Sequence, residues 1–240
     1  MFFLMPMASI FAIYIAAALL PAVFLMRYIY GKDRVEKEPA SLLGSLLVQG
    51  VFAALAAIVL EILAERLLDL SPITRDSTLY YIVMAFLVVA AVEEGTKFFF
   101  LYRRTWNSPE FDYRFDGIVY SAFVSLGFAA FENVKYIIGY GLTAALPRAF
   151  LAVPGHLGFA VVMGYFYGRA RMQENRGYPD RARINRITGY LCAVFLHGFY
   201  DSCAMIGSSG STLVFIIFVV VMYIFIIRLL KRESATDHVI

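Results

Sequence analysis

Seven stretches of this 240-residue chain are apolar over about the roughly 20 residues that a helix needs to cross the hydrocarbon core of a bilayer. They run about 2 to 26, 41 to 63, 78 to 101, 117 to 140, 148 to 168, 187 to 207 and 211 to 230. A backbone in lipid must satisfy its own hydrogen bonds, and runs of this length do so as helices. The pattern therefore predicts an all-α, polytopic membrane protein with about seven transmembrane helices. With 61% hydrophobic residues, 16% charged residues and a mean hydropathy of +0.72, no polar half remains for a separate aqueous domain. Residues 1–240 read as a single integral-membrane domain with a motif-bearing core at 78–207.

Loop charge orients the spans. Sixteen basic residues fall in the loops after the first, third and fifth spans and in the tail after the seventh, whereas the opposite side holds only Arg66, Arg75 and Arg148. Lys and Arg concentrate on the cytosolic side of short loops, so the amino terminus is expected outside and the carboxyl terminus inside. The net charge of +3 is spread over these short loops, which fits lipid neighbours and not nucleic acid. The first run lacks a basic leading segment and is too long for a cleaved signal, so it reads as a retained span. Cys192 and Cys203, eleven helical residues apart, would lie roughly 16 Å from each other along the axis, too far for a disulfide.

Two basic residues remain, Lys97 and Lys135, and both fall within spans. They do not stand alone: the third span carries Glu93, Glu94 and Lys97, the fourth Glu132, Lys135 and Tyr136, the fifth His156 after Pro154-Gly155, and the sixth His197 and Asp201. A charge at bilayer depth costs at least roughly 2.5 kcal/mol, so each one needs a reason to be there. Glu93 to Lys97, Glu132 to Tyr136 and His197 to Asp201 are i to i+4 pairs, each on one helix face. From the cytosolic edge, Glu93, Glu132, His156 and His197 lie at depths of roughly 13, 24, 20 and 16 Å. Allowing for helix tilt, that is one layer, and four helices are expected to aim carboxylates and imidazoles into a shared polar cavity.

Such a cavity favours hydrolysis. Two adjacent carboxylates at low dielectric cannot both ionise cheaply, and Lys97 one turn away steadies an anion, the ingredients of a general base that takes a proton from water. A neighbouring imidazole can stabilise the oxyanion formed when that water attacks a carbonyl. No serine sits in a nucleophile elbow and neither cysteine has a base near it in the linear pattern. Zinc or another divalent metal is the other use of these residues: His156, His197 and Glu132 are the candidate ligands, with a water in the fourth position. No H-E-x-x-H is present, so the ligands would come from separate helices.

The motifs resemble those of the PrsW family of intramembrane proteases, distant relatives of the CAAX prenyl endoproteases. Glu93-Glu94-Gly95-Thr96-Lys97 matches the family's E-E-x-x-K, Phe131-Glu132-Asn133-Val134-Lys135-Tyr136 its phenylalanine-glutamate motif, and Asp116-Gly117-Ile118-Val119-Tyr120 its D-G-I-V-Y. His156 fits the third motif and His197-Gly198-Phe199-Tyr200-Asp201 the fourth, H-x-x-x-D. Ser121 departs from the glycine expected after the tyrosine. The resemblance implies cleavage of a single-pass anti-sigma factor on its extracytoplasmic side, as the first cut of a stress-signalling cascade. Catalysis is then assigned to Glu93, Glu94, Glu132, His156, His197 and Asp201, with Lys97 and Tyr136 in support. It leaves metal use open, because the family is filed with metallopeptidases while its prenyl endoprotease relatives look glutamate-dependent.

Plainer readings compete. The Glu93, Glu94 and Lys97 group could be an ion-pair cluster that fixes helix register; Lys135 could snorkel; the histidines could bond helix carbonyls, one of them freed by Pro154. Asp116 reads as a cap of the fourth helix, Glu61 and Glu65 as interfacial, and the Gly164-to-Gly168 step as an internal helix contact. A proton-coupled transporter would use the same residue types, but no inverted repeat or matched pair of broken helices is visible. A non-catalytic membrane scaffold is the third reading.

Overall fold

A computed structural model describes residues 7–240, and within them each apolar run lies in one helical rod. The first run is expected to begin at residue 2; residues 2 to 6 lie outside the described residues. The rods are α1 (Met7–Lys32), α2 (Ala40–Asp69), α3 (78–105), α4 (Asp116–Tyr140), α5 (Leu142–Asn175), α6 (Pro179–Ile206) and α7 (Ser209–Ala235). Five of them, α1, α2, α4, α5 and α7, are long and apolar enough to cross a membrane. The other two, α3 and α6, are the rods that carry Glu93, Glu94 and Lys97, and His197 and Asp201. The chain is a helical multi-pass membrane protein, and the rods overrun the apolar runs at several ends because helical hydrogen bonding does not stop at the edge of the oil.

Burial sorts the rods. α4 is the central one, with its first fourteen residues, Asp116 to Ala129, all buried. Glycine lets α5 approach it: a Cβ on Gly117 would stand 2.4 Å from the Gly168 nitrogen, and one on Gly164 would stand 2.5 Å from the Gly117 oxygen. The Gly164-to-Gly168 step is thus an internal contact, the small-residue packing that brings membrane helices together without a hydrophobic drive between them. α1, α2 and α7 turn rows of Leu, Val, Ile and Phe outward, as lipid-facing helices must.

Two wide turns interrupt the α-helical register. Met84–Ala90 in α3 and Arg148–Ala152 in α5 are π-helical, and each ends just ahead of a polar motif, Glu93-Glu94 in one and His156 in the other. Insertions of this kind recur at functional sites because they rotate the residues that follow. The helix runs unbroken through Pro154-Gly155. Pro154 sits in the first turn of the helix that follows the wide turn, where its missing N–H costs little.

Hydrogen bonds tie the two ends of the bundle separately. At one end, Gly207 takes a left-handed conformation (φ 62°) to close α6, and Ser208 caps α7 by accepting from the Ser211 N–H. At the other, the tail runs against the loop before α4. There the Ile240 N–H donates to the Asp112 oxygen at 2.8 Å and the Phe115 N–H donates to the Asp237 carboxylate at 2.9 Å. Asp116 is not the cap of α4; Phe115 holds that position, and Asp116 is buried, accepting from the Tyr113 N–H at 2.7 Å. Beside it the Tyr120 hydroxyl donates to Glu38 at 2.8 Å, so the Asp116-to-Tyr120 motif fastens the first connecting loop.

Candidate active site

The polar residues of α3, α4, α5 and α6 meet in one chain of contacts. The Lys97 ammonium donates to Glu94 at 2.8 Å and to Glu93 at 3.0 Å, and lies 3.2 Å from Nδ1 of His156. His156 pairs through Nε2 with Glu132 at 3.0 Å, and Glu132 also accepts from Arg148 at 2.9 Å. On the other flank Nδ1 of His197 pairs with Glu94 at 2.9 Å, and its Nε2 faces Asp201 at 3.3 Å. The four helices therefore bring together all six residues assigned to catalysis, together with Lys97.

Apolar and aromatic groups fix this network. Phe159 stacks on His197 with ring centres 4.7 Å apart, and the Lys97 ammonium lies 4.0 Å above the Phe128 ring. Gly198 lets α6 close on α3, since a Cβ there would stand 2.5 Å from the Phe86 ring. Phe86 belongs to the wide turn of α3, so the distorted helix and the glycine beside His197 fit one another. The Tyr190 hydroxyl donates to the Ala91 oxygen, a second tie between α3 and α6 just below the glutamates.

Above the network a cavity of about 540 Å³ opens, within the range of ligand-binding clefts. Glu93, Glu132, His156, His197 and Asp201 line it, with Tyr136 and Lys135 on its wall. Glu94 and Lys97 do not; they lie behind Glu93, at 0% and 2% exposure. The cavity faces the end of the bundle where α2, α4 and α6 finish and where α5 and α7 start. Glu132 lies eight residues before the end of α4 and His197 nine before the end of α6, depths of roughly 12 to 14 Å. Tyr136 packs its ring under the Arg148 guanidinium, 3.9 Å away.

Glu93, Glu94, His156 and His197 each offer a ligand atom, and these atoms lie within 4.8 Å of one another. Two imidazoles and two carboxylates are a donor set suited to zinc. The outer nitrogen of each ring is held by a carboxylate, Glu132 for His156 and Asp201 for His197, the support that orients metal-binding histidines. The converging group differs from the ligands read off the sequence in one place: Glu132 sits on the outer face of His156, and Glu93 and Glu94 supply the carboxylates.

Two residues of the site escape the sequence reading. Arg148, counted there as a loop charge, is half-buried in the cavity wall, pairing with Glu132 and Asn133. With Arg148 drawn inward, Arg66 and Arg75 are left of the three basic residues tallied at that end. Glu61, read as interfacial, lines the cavity beside Glu93 and Lys135, whereas Glu65 is exposed. The signal for Glu61 lies in its spacing: it follows Ala53, Ala54 and Ala57, the buried small-residue face of α2, by one turn.

A family model described as PrsW family intramembrane metalloprotease matches residues 38–229. The chain is similar to Protease PrsW of Geobacillus kaustophilus, 36% identical over 188 residues that cover 78% of this chain and 77% of that protein. It is similar also to Protease PrsW of Oceanobacillus iheyensis, 34% identical over 92% of this chain and 95% of that protein, and to Protease PrsW of Bacillus subtilis, at 32% over 78% and 80%. No solved structure matches it.

Proposed function

Because the chain belongs to the PrsW family of intramembrane metalloproteases, we propose that the network around Glu93, Glu94, His156 and His197 is where it hydrolyses a peptide bond of a single-pass membrane protein. The observation that carries this reading is the convergence of those four side chains, with Glu93, His156 and His197 lining the floor of a cavity walled by helices and Glu94 directly behind them. The substrate is proposed to be an anti-sigma factor, cut on its extracytoplasmic side as the first step of a stress-signalling cascade. That side agrees with a cavity facing the end of the bundle that is poor in basic residues.

The chemistry follows from positions. Glu93 is the acidic member of its motif that opens on the cavity, so it takes the proton from the attacking water. The water oxygen bonds to the carbonyl carbon, and the charge left on the carbonyl oxygen is stabilised by the imidazoles of His156 and His197. The carbon–nitrogen bond then breaks as Glu93 returns the proton to the departing amide nitrogen. Lys97 balances the paired glutamates, Glu94 and Asp201 fix His197 from either side, and Glu132 with Arg148 fixes His156. A divalent ion such as zinc would be held by His156, His197 and Glu94, leaving Glu93 free as the base, and would supply Lewis-acid polarisation of the scissile carbonyl.

The test is cleavage of a single-pass substrate by purified protein, with bound metal counted on the same sample. Wild type is expected to cut and to carry one divalent ion per chain. Glu94→Gln is expected to abolish the cut; undiminished cleavage by that variant refutes the assignment.

A further inference from the structure

Glu61 is a carboxylate on a lipid-facing helix, and its Oε1 atom is shut away from solvent without a hydrogen-bond partner. A buried acceptor left unsatisfied costs about 1–3 kcal/mol, more when charged, and a charged group at membrane depth is seldom there without use. It stands at a second, smaller hollow between α2 and α4 that adjoins the first, Glu61, Glu93, Glu132 and Lys135 lining both. That hollow is lined by Ala54, Ala57 and Ile58 of α2, by Phe128, Phe131, Glu132 and Lys135 of α4, and by Glu93 of α3. It measures about 20 Å³, and a cavity holds one water once it exceeds roughly 10–15 Å³, provided 2–4 polar groups surround it. Glu61, Glu93, Glu132 and Lys135 are four such groups.

We infer that Glu61 positions a water molecule in this side slot, from which Glu93 draws the water it activates. The inference rests on the proposed role of Glu93 and adds a route to it. A substrate segment filling the large cavity covers the cavity-facing side of Glu93, and water must then reach that carboxylate from another direction. The slot supplies one, because Glu93 borders both hollows while Glu61 and Lys135 stand at the junction between them. Alanines at 54 and 57 keep the slot open, since any larger side chain on that face of α2 would fill it. Glu61 is a positioning residue: it acts on the water and not on the peptide.

Two measurements test this. In steady-state cleavage, Glu61→Leu is expected to lower kcat about tenfold, the worth of one hydrogen bond to the reacting water, with KM within about twofold of wild type. Glu61→Gln, whose amide still bonds water, is expected to lose no more than about threefold. A raised KM with unchanged kcat would overturn the inference, because it would make Glu61 a substrate contact. The second measurement needs no substrate: radiolysis of the full-length protein in lipid nanodiscs generates hydroxyl radicals from bound water, which mark the nearest side chains. Phe128 and Phe131 are expected to be labelled in wild type and protected in Glu61→Leu. Equal labelling in the two proteins, or none in wild type, would overturn the inference, and neither result depends on whether the protein cleaves anything.

Discussion

Lys97→Met removes the cation that holds the site together, and its cost can be worked from the contacts. The ammonium lies 2.8 Å from Glu94 and 3.0 Å from Glu93, and its side chain is 3% exposed. Methionine keeps the length and apolar volume of the lysine stem, so the change deletes the charge and leaves two neighbouring carboxylates facing each other at low dielectric. Breaking a buried ion pair from one side costs about 3–5 kcal/mol. For a chain of this size 1 kcal/mol moves the unfolding midpoint by about 2–4 °C, so thermal unfolding in detergent should show a drop of roughly 6–20 °C. The same substitution made in a Glu94→Gln background should cost at least about 1 kcal/mol less, because one of the stranded charges is already gone. A midpoint within about 2 °C of wild type, or an equal cost in both backgrounds, would refute the claim that Lys97 neutralises this pair.

Asp201→Asn leaves His197 stacked on Phe159 but weakens the contact that orients its Nε2; kcat should fall about 10- to 100-fold with KM little changed, and a change confined to KM would argue that Asp201 touches substrate instead. A second prediction concerns the loop between α1 and α2. Burial pushes the Asp33 carboxyl up to about 6, so the folded state holds that proton more tightly than the unfolded chain. Its stabilising contribution is complete below about pH 4 and is lost as the pH rises through about 6. Asp33→Asn should therefore unfold at a higher temperature than wild type at pH 8 and show no such gain at pH 4; a gain of the same size at both pH values would contradict this.

What the sequence made legible follows from what is local to it. A run of some 20 apolar residues dictates a helix in lipid whatever its neighbours do, so the seven rods could be read one at a time. Ionisable residues within such runs are costly enough to be noticed, and i to i+4 spacing put Glu93 with Lys97 and His197 with Asp201 on shared faces. What escaped depends on other parts of the chain. Arg148 looks like a loop charge until the wide turn of Arg148–Ala152 carries it back towards Glu132. Glu61 looks interfacial until α4 packs along the alanine face of α2. Asp116 looks like a cap until the carboxyl tail and the Glu38 loop close over it. The two wide turns are likewise tertiary: the one in α3 bears Phe86, which fills the space above Gly198. Which imidazole nitrogen faces the glutamates and lysine, and which faces its supporting carboxylate, is also set by the packing of four helices and is invisible in any one of them.

The most direct test of the central claim is the position of the cut. A single-pass substrate incubated with the purified protein in lipid, followed by mass spectrometry of both fragments, locates the bond. If Glu93, His156 and His197 do the chemistry from the floor of a cavity roughly 12 to 14 Å below the outer ends of α4 and α6, the severed bond lies in the extracytoplasmic half of the substrate's transmembrane segment. A cut in the cytosolic half, or in a soluble part of the substrate beyond the reach of that cavity, would contradict the account.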